Sequence, residues 1–290
     1  MNILVTLDKN YLPPLKTMLM SLFINHPCDS FDVYLASDNL TEDNLGDVSN
    51  LCRRFHSALH LIHVKDEWFA DAPTLRYYSR AMYYRLLAAQ LLPKDMDRIL
   101  YLDPDMLIIN SIRSLYETDL GDSLYAACIH KGLMNISNPV NKIRLSTYET
   151  EGYYNSGMLL MNLARIREEV RADDIFDYVK KNRQLLLLPD QDILNGLYGE
   201  HILPVDESLW NYDARKYNEY LIASSGEKDM DWVMRNTAIL HFCGKRKPWH
   251  KDYHGRFSAL YKHYRNLAER CSQASMFMNQ SYNLEISSCN

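Results

Sequence analysis

The sequence predicts an α/β protein whose mostly parallel sheet carries helices on both faces. Three observations lead to this fold class. The chain has 290 residues, which suits one large α/β domain or two small ones. Short apolar runs alternate with helical patterns through the first half, as is typical of parallel sheets. Polar residues follow the ends of several apolar runs, and the carboxyl ends of strands are where open α/β sheets bind ligands.

The first half is predicted to hold four strands separated by three helices. The strand candidates cover residues 2–7, 31–36, 59–64 and 99–102. The first helix begins at Pro13 and Pro14, because proline suits the first helical turn. Thr41 is the predicted N-cap of the second helix. The third helix covers residues 77–92 and ends before Pro93, which cannot continue a helix.

The second half is less regular. Strand candidates cover residues 123–128, 157–161 and 238–242, and helix candidates cover residues 164–181, 191–198 and 257–269. Asp190 is the predicted cap of the middle helix, and Gly199 is its predicted end. The residues after Ser272 are polar and lack periodicity, so we expect a loose tail.

Composition and charge exclude several classes of protein. The formal net charge of −5 argues against general binding of nucleic acid. No apolar run is long enough to span a bilayer, and the N-terminus lacks a basic leader and meets Asp8 too early for a signal peptide. The 6 cysteines are scattered without a C-x-x-C pair. This usage favours a reduced cytoplasmic protein over a disulfide scaffold or a structural zinc site.

The acidic pair Asp103 and Asp105 directly follows the fourth predicted strand. Carboxylates are rarely buried unless they are paired or bound to a metal, and acids at i and i+2 point to the same side of an extended backbone. Two like charges this close repel each other unless a cation lies between them. Because Mg²⁺ and Mn²⁺ prefer such oxygen ligands, the pair predicts a metal that bridges a phosphorylated ligand. A solvent-exposed turn is the alternative interpretation of an isolated Asp-x-Asp triplet.

Two more features of the first half are predicted to face a ligand. The loop after the first strand places Asp8 and Asn10 where they could bond a base or ribose, with Tyr11 stacked on the base. The alternative is an ordinary turn that leads into a helix. Arg85 lies on an otherwise apolar and aromatic helix and could face a phosphate or Asp103. The alternative is an arginine on the solvent side of that helix.

Three segments of the second half are also predicted to face a ligand. The turn at residues 153–157 contains a glycine, which lets a ligand approach the backbone closely, although a plain turn would contain the same residues. The Asp-Gln-Asp run at residues 190–192 supplies more polar groups than a helix cap requires. The last strand ends in His241, which could bind a metal, and the loop after it presents Lys247 to a phosphate. A core histidine and a solvated basic loop are the alternatives there.

Glycine motifs that bind phosphate are missing from the sequence. It contains neither a Walker loop nor the G-x-G-x-x-G dinucleotide fingerprint, and it has no G-x-S-x-G nucleophile elbow. Phosphates would therefore be held by a metal and by basic side chains.

Taken in order, these five segments resemble the family 8 retaining glycosyltransferases, which include the bacterial lipopolysaccharide galactosyl- and glucosyltransferases and the glycogenin-like enzymes. The resemblance covers roughly residues 1–255. Its most specific parts are Leu-Asp-Pro-Asp at 102–105, Asn-Ser-Gly at 155–157, Asp-Gln-Asp at 190–192 and His-x-x-Gly-x-x-Lys-Pro-Trp at 241–249.

The resemblance implies the A-type glycosyltransferase fold, which is Rossmann-like with a mixed, mostly parallel sheet. It implies a UDP-sugar donor and a divalent metal, Mn²⁺ or Mg²⁺, held by Asp103, Asp105 and His241. The positions that match donor-binding positions of the family are Thr6, Leu7, Asp8, Asn10, Tyr11, Arg85, Asp103, Pro104, Asp105, Asn155, Ser156, Gly157, Asp190, Gln191, His241, Cys243, Gly244 and Lys247. Those assigned to catalysis by the same resemblance are Arg85, Asp190, Gln191 and Asp192.

The implied reaction is transfer of a hexose from UDP-galactose or UDP-glucose to a saccharide or lipid-linked saccharide, with retention of the anomeric configuration. Retention can come from front-face attack or from a covalent intermediate, and the lack of an evident carboxylate nucleophile favours front-face attack. Two alternatives remain at this point. One is a sugar-nucleotide-binding protein without transfer activity, and the other is a metal-dependent nucleotide-sugar hydrolase.

The predicted organisation is one catalytic domain over residues 1–255, made of a nucleotide-binding half at 1–110 and an acceptor-binding half at 111–255. A C-terminal helix and loose tail fill residues 256–290. One position departs from the family, because relatives often carry an acid that touches the donor sugar where this chain has His130. The donor sugar therefore stays open.

The segment 241–265 is rich in basic residues with aromatic residues between them. It predicts either a contact with an anionic membrane, where lipid-linked acceptors lie, or a solvated C-terminal helix. The first interpretation would place a cytoplasmic protein at the inner face of the cell membrane. The sequence does not indicate an oligomeric state.

Overall fold

The computed structural model describes residues 1–64, 73, 81–129 and 152–287, with side chains for all of these except 81, 82 and 274–287. This part of the chain contains a 7-stranded sheet and a 3-stranded sheet. The strands are β1 (Asn2–Thr6), β2 (Asp32–Ser37), β3 (Ala58–His63), β4 (Arg98–Leu102), β5 (Met106–Ile108), β6 (Tyr125–Cys128), β7 (Met158–Asn162), β8 (Ile202–Val205), β9 (Tyr212–Asp213) and β10 (Ile239–His241).

Helices connect most of these strands. They are α1 (Leu12–Ile24), α2 (Glu42–Arg54), α3 (Ala81–Leu86), α4 (Ala88–Leu91), α5 (Arg113–Tyr116), α6 (Leu163–Glu169), α7 (Ala172–Asn182), α8 (Pro189–Tyr198), α9 (Glu207–Trp210), α10 (Tyr217–Ala223), α11 (Met230–Asn236) and α12 (Ser258–Ser287). Single 3₁₀ turns occur at Lys9–Tyr11 and Gly199–His201. The predicted cap of the second helix is confirmed, because Thr41 and Asn44 form a capping box at the start of α2.

The main sheet has the strand order β3-β2-β1-β4-β7-β6-β8. Its strands are parallel except β7, which runs antiparallel to both β4 and β6. The chain moves outward from β1 through β2 to β3 and then returns to β4 on the other side of β1. The carboxyl ends of β1 and β4 therefore flank the topological switch point, where open α/β sheets bind ligands.

Hydrophobic side chains cover both faces of this sheet, as predicted. Successive strand residues point to opposite faces, so Ile3 and Val5 belong to one buried cluster and Leu4 to the other. The first cluster includes residues of α1, α2 and α12, and the second includes residues of α3, α7 and α8. Burial of these two layers supplies the main driving force for folding.

The small sheet has the strand order β5-β10-β9. Strand β5 follows β4 after a short turn and pairs antiparallel with β10, with Met106 opposite His241. The backbone N–H of Phe242 donates to the carbonyl of Asp105 at 3.0 Å. This pairing places the end of β10 beside the acidic turn between β4 and β5.

Two predicted helices are each divided in the structure. The predicted helix at 164–181 is two helices, α6 and α7, because the backbone at Val170 is extended and buries that side chain at 4% exposure. The predicted helix at 77–92 is interrupted at Leu87 between α3 and α4. Its first residues lie outside the described part of the chain, as does His130.

The predictions for helix ends and short strands were wrong in three places. Leu188 is the N-cap of α8, whereas Asp190 lies inside the helix and bonds elsewhere. Helix α12 continues to Ser287 instead of giving way to a loose tail after Ser272, and the extension contains no glycine or proline. Strands β5, β8 and β9 were missed, since segments of two to four residues are too short for a recognisable pattern.

The C-terminal basic segment contributes its aromatic residues to the core. Tyr253, Phe257 and Tyr261 are 8%, 3% and 1% exposed, so the basic side chains and the half-buried Trp249 remain for the predicted membrane contact. That contact stays a prediction. Across the described residues, no helix combines the length and apolarity needed to cross a bilayer.

Candidate active site

A cavity of about 450 Å³ lies at the carboxyl ends of β1 and β4, and we call it the donor pocket. Its predicted lining residues are Thr6, Leu7, Asp8, Tyr11, Arg85, Asp103, Pro104, Asp105 and Lys247. Asp38, Asn39 and Tyr84 also line it and were not predicted. The loop after β1 is shaped by Asp8, whose carboxylate accepts the backbone N–H of Asn10 at 2.8 Å.

Asp103 ends β4 and is fixed by three neighbours. Its backbone N–H donates to the carbonyl of Gly157 at 2.8 Å, which joins it to the start of β7. The hydroxyl of Tyr101 donates to Asp103 Oδ1 at 2.6 Å, and Arg85 Nη2 lies 3.2 Å from the same oxygen. One oxygen is thus engaged by both donors, while Oδ2 faces His241.

Asp105 lies on the other side of Pro104 and has different partners. It is 6% exposed, and the Lys247 ammonium donates to its Oδ2. His241 Nε2 lies 3.3 Å from its Oδ1. Buried carboxylates persist only with such compensation.

The two carboxyl groups differ in acidity. Burial raises the pKa of Asp103, and the neighbouring Arg85 does not fully offset it. Burial also raises the pKa of Asp105, but His241 and Lys247 outweigh it and hold that pKa well below its usual range. Asp105 is therefore the more firmly ionised member of the pair.

Asp103, Asp105 and His241 form a group that could hold a metal ion. Each offers one ligand atom, and these atoms all lie within 4.8 Å of one another. Gly157 makes room for the group, because a Cβ there would lie 2.6 Å from His241 Cε1 and 2.7 Å from Asp103 Oδ2. Any larger residue at this position would force the ligands apart.

A chain of side-chain amides fixes the orientation of the His241 ring. The backbone N–H of Gly157 donates to Asn155 at 2.9 Å, which identifies the accepting atom as the oxygen Oδ1. The same oxygen lies 2.8 Å from Asn211, so Asn211 must present its Nδ2 there. Asn211 then turns its Oδ1 toward His241 Nδ1 at 2.8 Å. A backbone donor thus fixes side-chain orientations that would otherwise be ambiguous.

His241 is consequently oriented as metal-binding histidines usually are. Nδ1 donates to Asn211, and Nε2 is the ring nitrogen that faces the two carboxylates. Burial lowers the pKa of His241, but Cys243 and Asp105 outweigh it and raise that pKa well above its usual range, so Nε2 carries a proton that a metal would replace. Two carboxylate oxygens and one imidazole form a donor set that suits Mn²⁺ or Mg²⁺. The residues present therefore fit a divalent metal.

The second half adds a network around Arg85. Arg85 Nη1 pairs with Asp190 at 2.9 Å and also donates to the carbonyl of Ser156 at 3.1 Å. The hydroxyl of Ser156 donates to Asp190 at 2.8 Å. Arg85 therefore bridges Asp103 and Asp190, which explains why Asp190 does not cap its helix.

Gln191 and Asp192 have different surroundings although they are adjacent. Gln191 Oε1 accepts from Asn155 Nδ2 at 3.0 Å and so joins the amide chain. Asp192 is fully buried and accepts the backbone N–H groups of Leu187 and Leu188 at 2.6 and 3.0 Å. These bonds give Asp192 a structural role, and it is not among the residues that line the donor pocket.

Nine other predicted residues are not among those that line the donor pocket. Six of them belong to the networks described above: Asn155, Ser156, Gly157, Asp190, Gln191 and His241. Asn10 is exposed and forms the turn with Asp8. Cys243 and Gly244 line a neighbouring cavity, while Lys247 of the same loop lines the donor pocket.

Tyr101 and Asn211 were missed by sequence reasoning. Tyr101 lies within an apolar strand, where a tyrosine normally indicates core packing. Asn211 lies between two short elements without a motif. Asp38 and Asn39 could have been found, because they follow β2 just as Asp8 follows β1.

The family model for glycosyl transferase family 8 matches residues 2–253. The chain is 26% identical over 258 residues to the lipopolysaccharide 1,2-glucosyltransferase of Escherichia coli K12, covering 87% of this chain and 73% of that protein. It is 24% identical over 270 residues to general stress protein A of Bacillus subtilis 168, covering 91% and 92%. The crystal structure of the galactosyltransferase LgtC with donor and acceptor sugar analogues superposes with a TM-score of 0.74 at 26% identity, covering 92% of this chain and 95% of that one.

Proposed function

The chain belongs to glycosyl transferase family 8 and is a glycosyltransferase, and on that premise we propose that it moves a hexose from UDP-glucose or UDP-galactose to a saccharide or a lipid-linked saccharide. We propose further that the reaction retains the anomeric configuration and depends on Mn²⁺ or Mg²⁺. The observation that carries the proposal is the group of Asp103, Asp105 and His241 at the switch point of the sheet.

The lining of the donor pocket supports a place for each part of the donor. The uridine would lie on the loop after β1, where Asp8 offers a carboxylate and Tyr11 an aromatic ring. The diphosphate would lie between the metal group and Lys247. The division into a nucleotide-binding half at 1–110 and an acceptor-binding half at 111–255 stays a proposal, with Lys247 of the second half added to the nucleotide site.

Two cations near the metal group are paired with its carboxylates. Lys247 contacts Asp105, and Arg85 contacts Asp103. Binding of a divalent ion would neutralise the carboxylates and let both side chains turn toward the negative diphosphate. The donor pocket would thus bind its metal and its nucleotide together.

The transfer breaks the bond between the anomeric carbon and the oxygen of the β-phosphate. It forms a bond from that carbon to the acceptor oxygen, and the acceptor proton passes to the departing phosphate. A bound metal supplies Lewis-acid stabilisation of the charge that grows on that phosphate. Lys247 and Arg85 add positive charge at the same place.

Front-face attack is the route to retention that we propose. Gln191 joins the site as an amide, whereas Asp190 is tied to Arg85 and Ser156 and Asp192 to backbone N–H groups. No carboxylate among these is free to act as a nucleophile. Gln191 would stabilise the oxocarbenium-like sugar through its carbonyl dipole.

The direct test is a donor screen with UDP-sugars and Mn²⁺ in the presence of mixed saccharide acceptors. We expect release of UDP from UDP-glucose or UDP-galactose, and an α-linked product by NMR. Release of free sugar without acceptor would indicate a hydrolase instead. Binding of UDP-sugar without turnover of any acceptor would indicate the sugar-nucleotide-binding alternative.

A further inference from the structure

A second cavity of about 590 Å³ adjoins the donor pocket through the loop of residues 243–247, and we call it the basic cavity. Its volume lies within the range of small-molecule sites, about 300–1,000 Å³. The charged and titratable side chains of its described lining include one carboxylate and five basic groups: Asp252, Arg215, Lys245, Arg246, His254 and Arg256.

Two arginines of this cavity are held in fixed positions. Arg215 donates Nε and Nη2 to Asp213 at 2.9 and 2.7 Å, and Asp213 is fully buried. Its remaining nitrogen, Nη1, lies against Gly244, where a Cβ would approach it to 2.5 Å. The guanidinium of Arg256 lies 4.0 Å over the ring of Tyr217 and donates to Asn218 at 3.3 Å. Prepositioned guanidinium groups recognise phosphate and carboxylate with little loss of entropy.

The positive charge of the cavity is largely uncompensated. Within the described residues, Lys245, Arg246 and Arg256 have no carboxylate at ion-pair distance, and Arg215 alone is paired. A concave surface with this charge raises the local concentration of anions. The diphosphate of the donor does not require these side chains, because Lys247, Asp103 and Asp105 line the donor pocket and the three arginines of the basic cavity do not.

We propose that the basic cavity binds a phosphate group carried by the acceptor, so that the acceptor is an anionic saccharide or a saccharide on an anionic lipid. This inference rests on the proposed transferase function and adds the charge of its second substrate. The shared loop explains why the two substrates would meet. Lys247 contacts the donor side, whereas Gly244, Lys245 and Arg246 contact the acceptor side.

The test uses the full chain and the double variant Lys245→Gln/Arg256→Gln. Arg215 is left intact, because its removal would leave buried Asp213 unpaired. The control variant, Lys94→Gln/Lys181→Gln, removes the same two charges from exposed positions elsewhere. Binding of inorganic phosphate, glucose 6-phosphate and glucose is measured by calorimetry, with and without saturating UDP and Mn²⁺.

We expect phosphate and glucose 6-phosphate to bind in the presence of UDP, and glucose to bind far more weakly. The double variant should lose about tenfold or more in this affinity, whereas the control variant and the affinity for UDP should be unchanged. Competition between phosphate and UDP, or equal binding by the double variant, would overturn the proposal. If neither the wild type nor either double variant binds UDP, the proposed function is wrong. The phosphate titration without UDP tests the basic cavity independently of that result.

A vesicle assay separates the two sources of phosphate. Vesicles of phosphatidylcholine and phosphatidylglycerol in equal parts are sedimented with each protein. Loss of pelleting in the double variant, with weak binding of glucose 6-phosphate, supports a lipid-borne phosphate. Binding of glucose 6-phosphate without pelleting supports a phosphorylated saccharide, and failure of both overturns the proposal.

Discussion

The donor pocket and the basic cavity both contain clustered cations, but only the cations of the donor pocket are paired with carboxylates throughout. In the donor pocket, Lys247 and Arg85 pair with Asp105 and Asp103, and Asp8 and Asp38 also line it, so the pocket has no excess positive charge. In the basic cavity, Lys245, Arg246 and Arg256 have no such partner among the described residues. The first arrangement would make nucleotide binding conditional on a metal. The second attracts anions unconditionally but only as strongly as exposed charges allow.

The largest difference between ligand binding in the two cavities is expected from Asp105→Asn and Asp103→Asn. Each change removes one negative charge from the ligand set, and Asp105→Asn also leaves Lys247 without its carboxylate, so metal-dependent binding of UDP should fall below detection. Calorimetry with UDP and Mn²⁺ measures this. Phosphate binding in the basic cavity serves as the internal control and should persist. Undiminished metal-dependent binding in both variants would refute the metal site.

The next effect is expected from Asn211→Leu. Removing the acceptor for His241 Nδ1 should weaken Mn²⁺ binding by about 10- to 100-fold, the usual cost of losing such a supporting residue. Asn211→Asp keeps an acceptor for His241 but loses the donor to Asn155, so it should retain more affinity than the leucine variant.

Proton NMR of the metal-free protein gives a second measure of the role of Asn211. In the wild type the Nδ1–H of His241 should show the downfield proton shift of a hydrogen bond to Asn211, and the leucine variant should lose that shift. If the shift and the Mn²⁺ affinity both survive Asn211→Leu, the amide chain has no positioning role.

A fall in pH should affect both cavities together, because it acts on the whole fold. His26 is buried, accepts the backbone N–H of Ile112 at 2.9 Å and bonds the carbonyl of Leu22 at 2.8 Å, so its ring is neutral. Burial lowers its pKa. Below a pH of about 6.5, His26 binds a proton in the unfolded chain but not in the folded chain. Stability is therefore full above that pH and is lost as the pH falls toward the folded pKa.

Urea unfolding at several pH values measures this effect. The variant His26→Gln should show a shallower loss of stability over that interval, since glutamine does not titrate. Identical slopes for the variant and the wild type would show that His26 does not contribute.

The smallest effect is expected from salt. Raising the ionic strength from about 0.05 to about 0.5 M shortens the Debye length and screens exposed charges. Phosphate affinity in the basic cavity should drop severalfold, whereas Mn²⁺ affinity at the buried carboxylates should change less. Equal salt dependence of the two affinities would remove the distinction between the cavities.

The predictable part of the site consists of residues whose role is visible in a short stretch of sequence. Asp103 and Asp105 directly follow a strand, and Lys247 follows His241 in one loop. The fold class of the protein was predicted from its alternating apolar runs, and that prediction is confirmed. These signals are local, and they survive without knowledge of the tertiary structure.

The missed part depends on contacts between distant segments. Asn211 matters only because β9 pairs with β10 and brings it to His241. Asp190 was taken for a helix cap because its partner Arg85 lies far away in the sequence. Such roles are set by sheet pairing, which a pattern of residue types does not specify. Tyr101 is the exception, because it lies only two residues before Asp103 and faces the same side of the backbone, so its bond could have been predicted locally.

The metal group draws its ligands from two different sheets. Asp103 ends β4 of the main sheet, and His241 ends β10 of the small sheet. A bound ion would therefore act as a removable cross-link between them, and its binding free energy would add to the stability of the fold. Depletion of the metal would then lower the free energy of unfolding as well as the activity, so the cellular metal supply would influence how much folded enzyme persists.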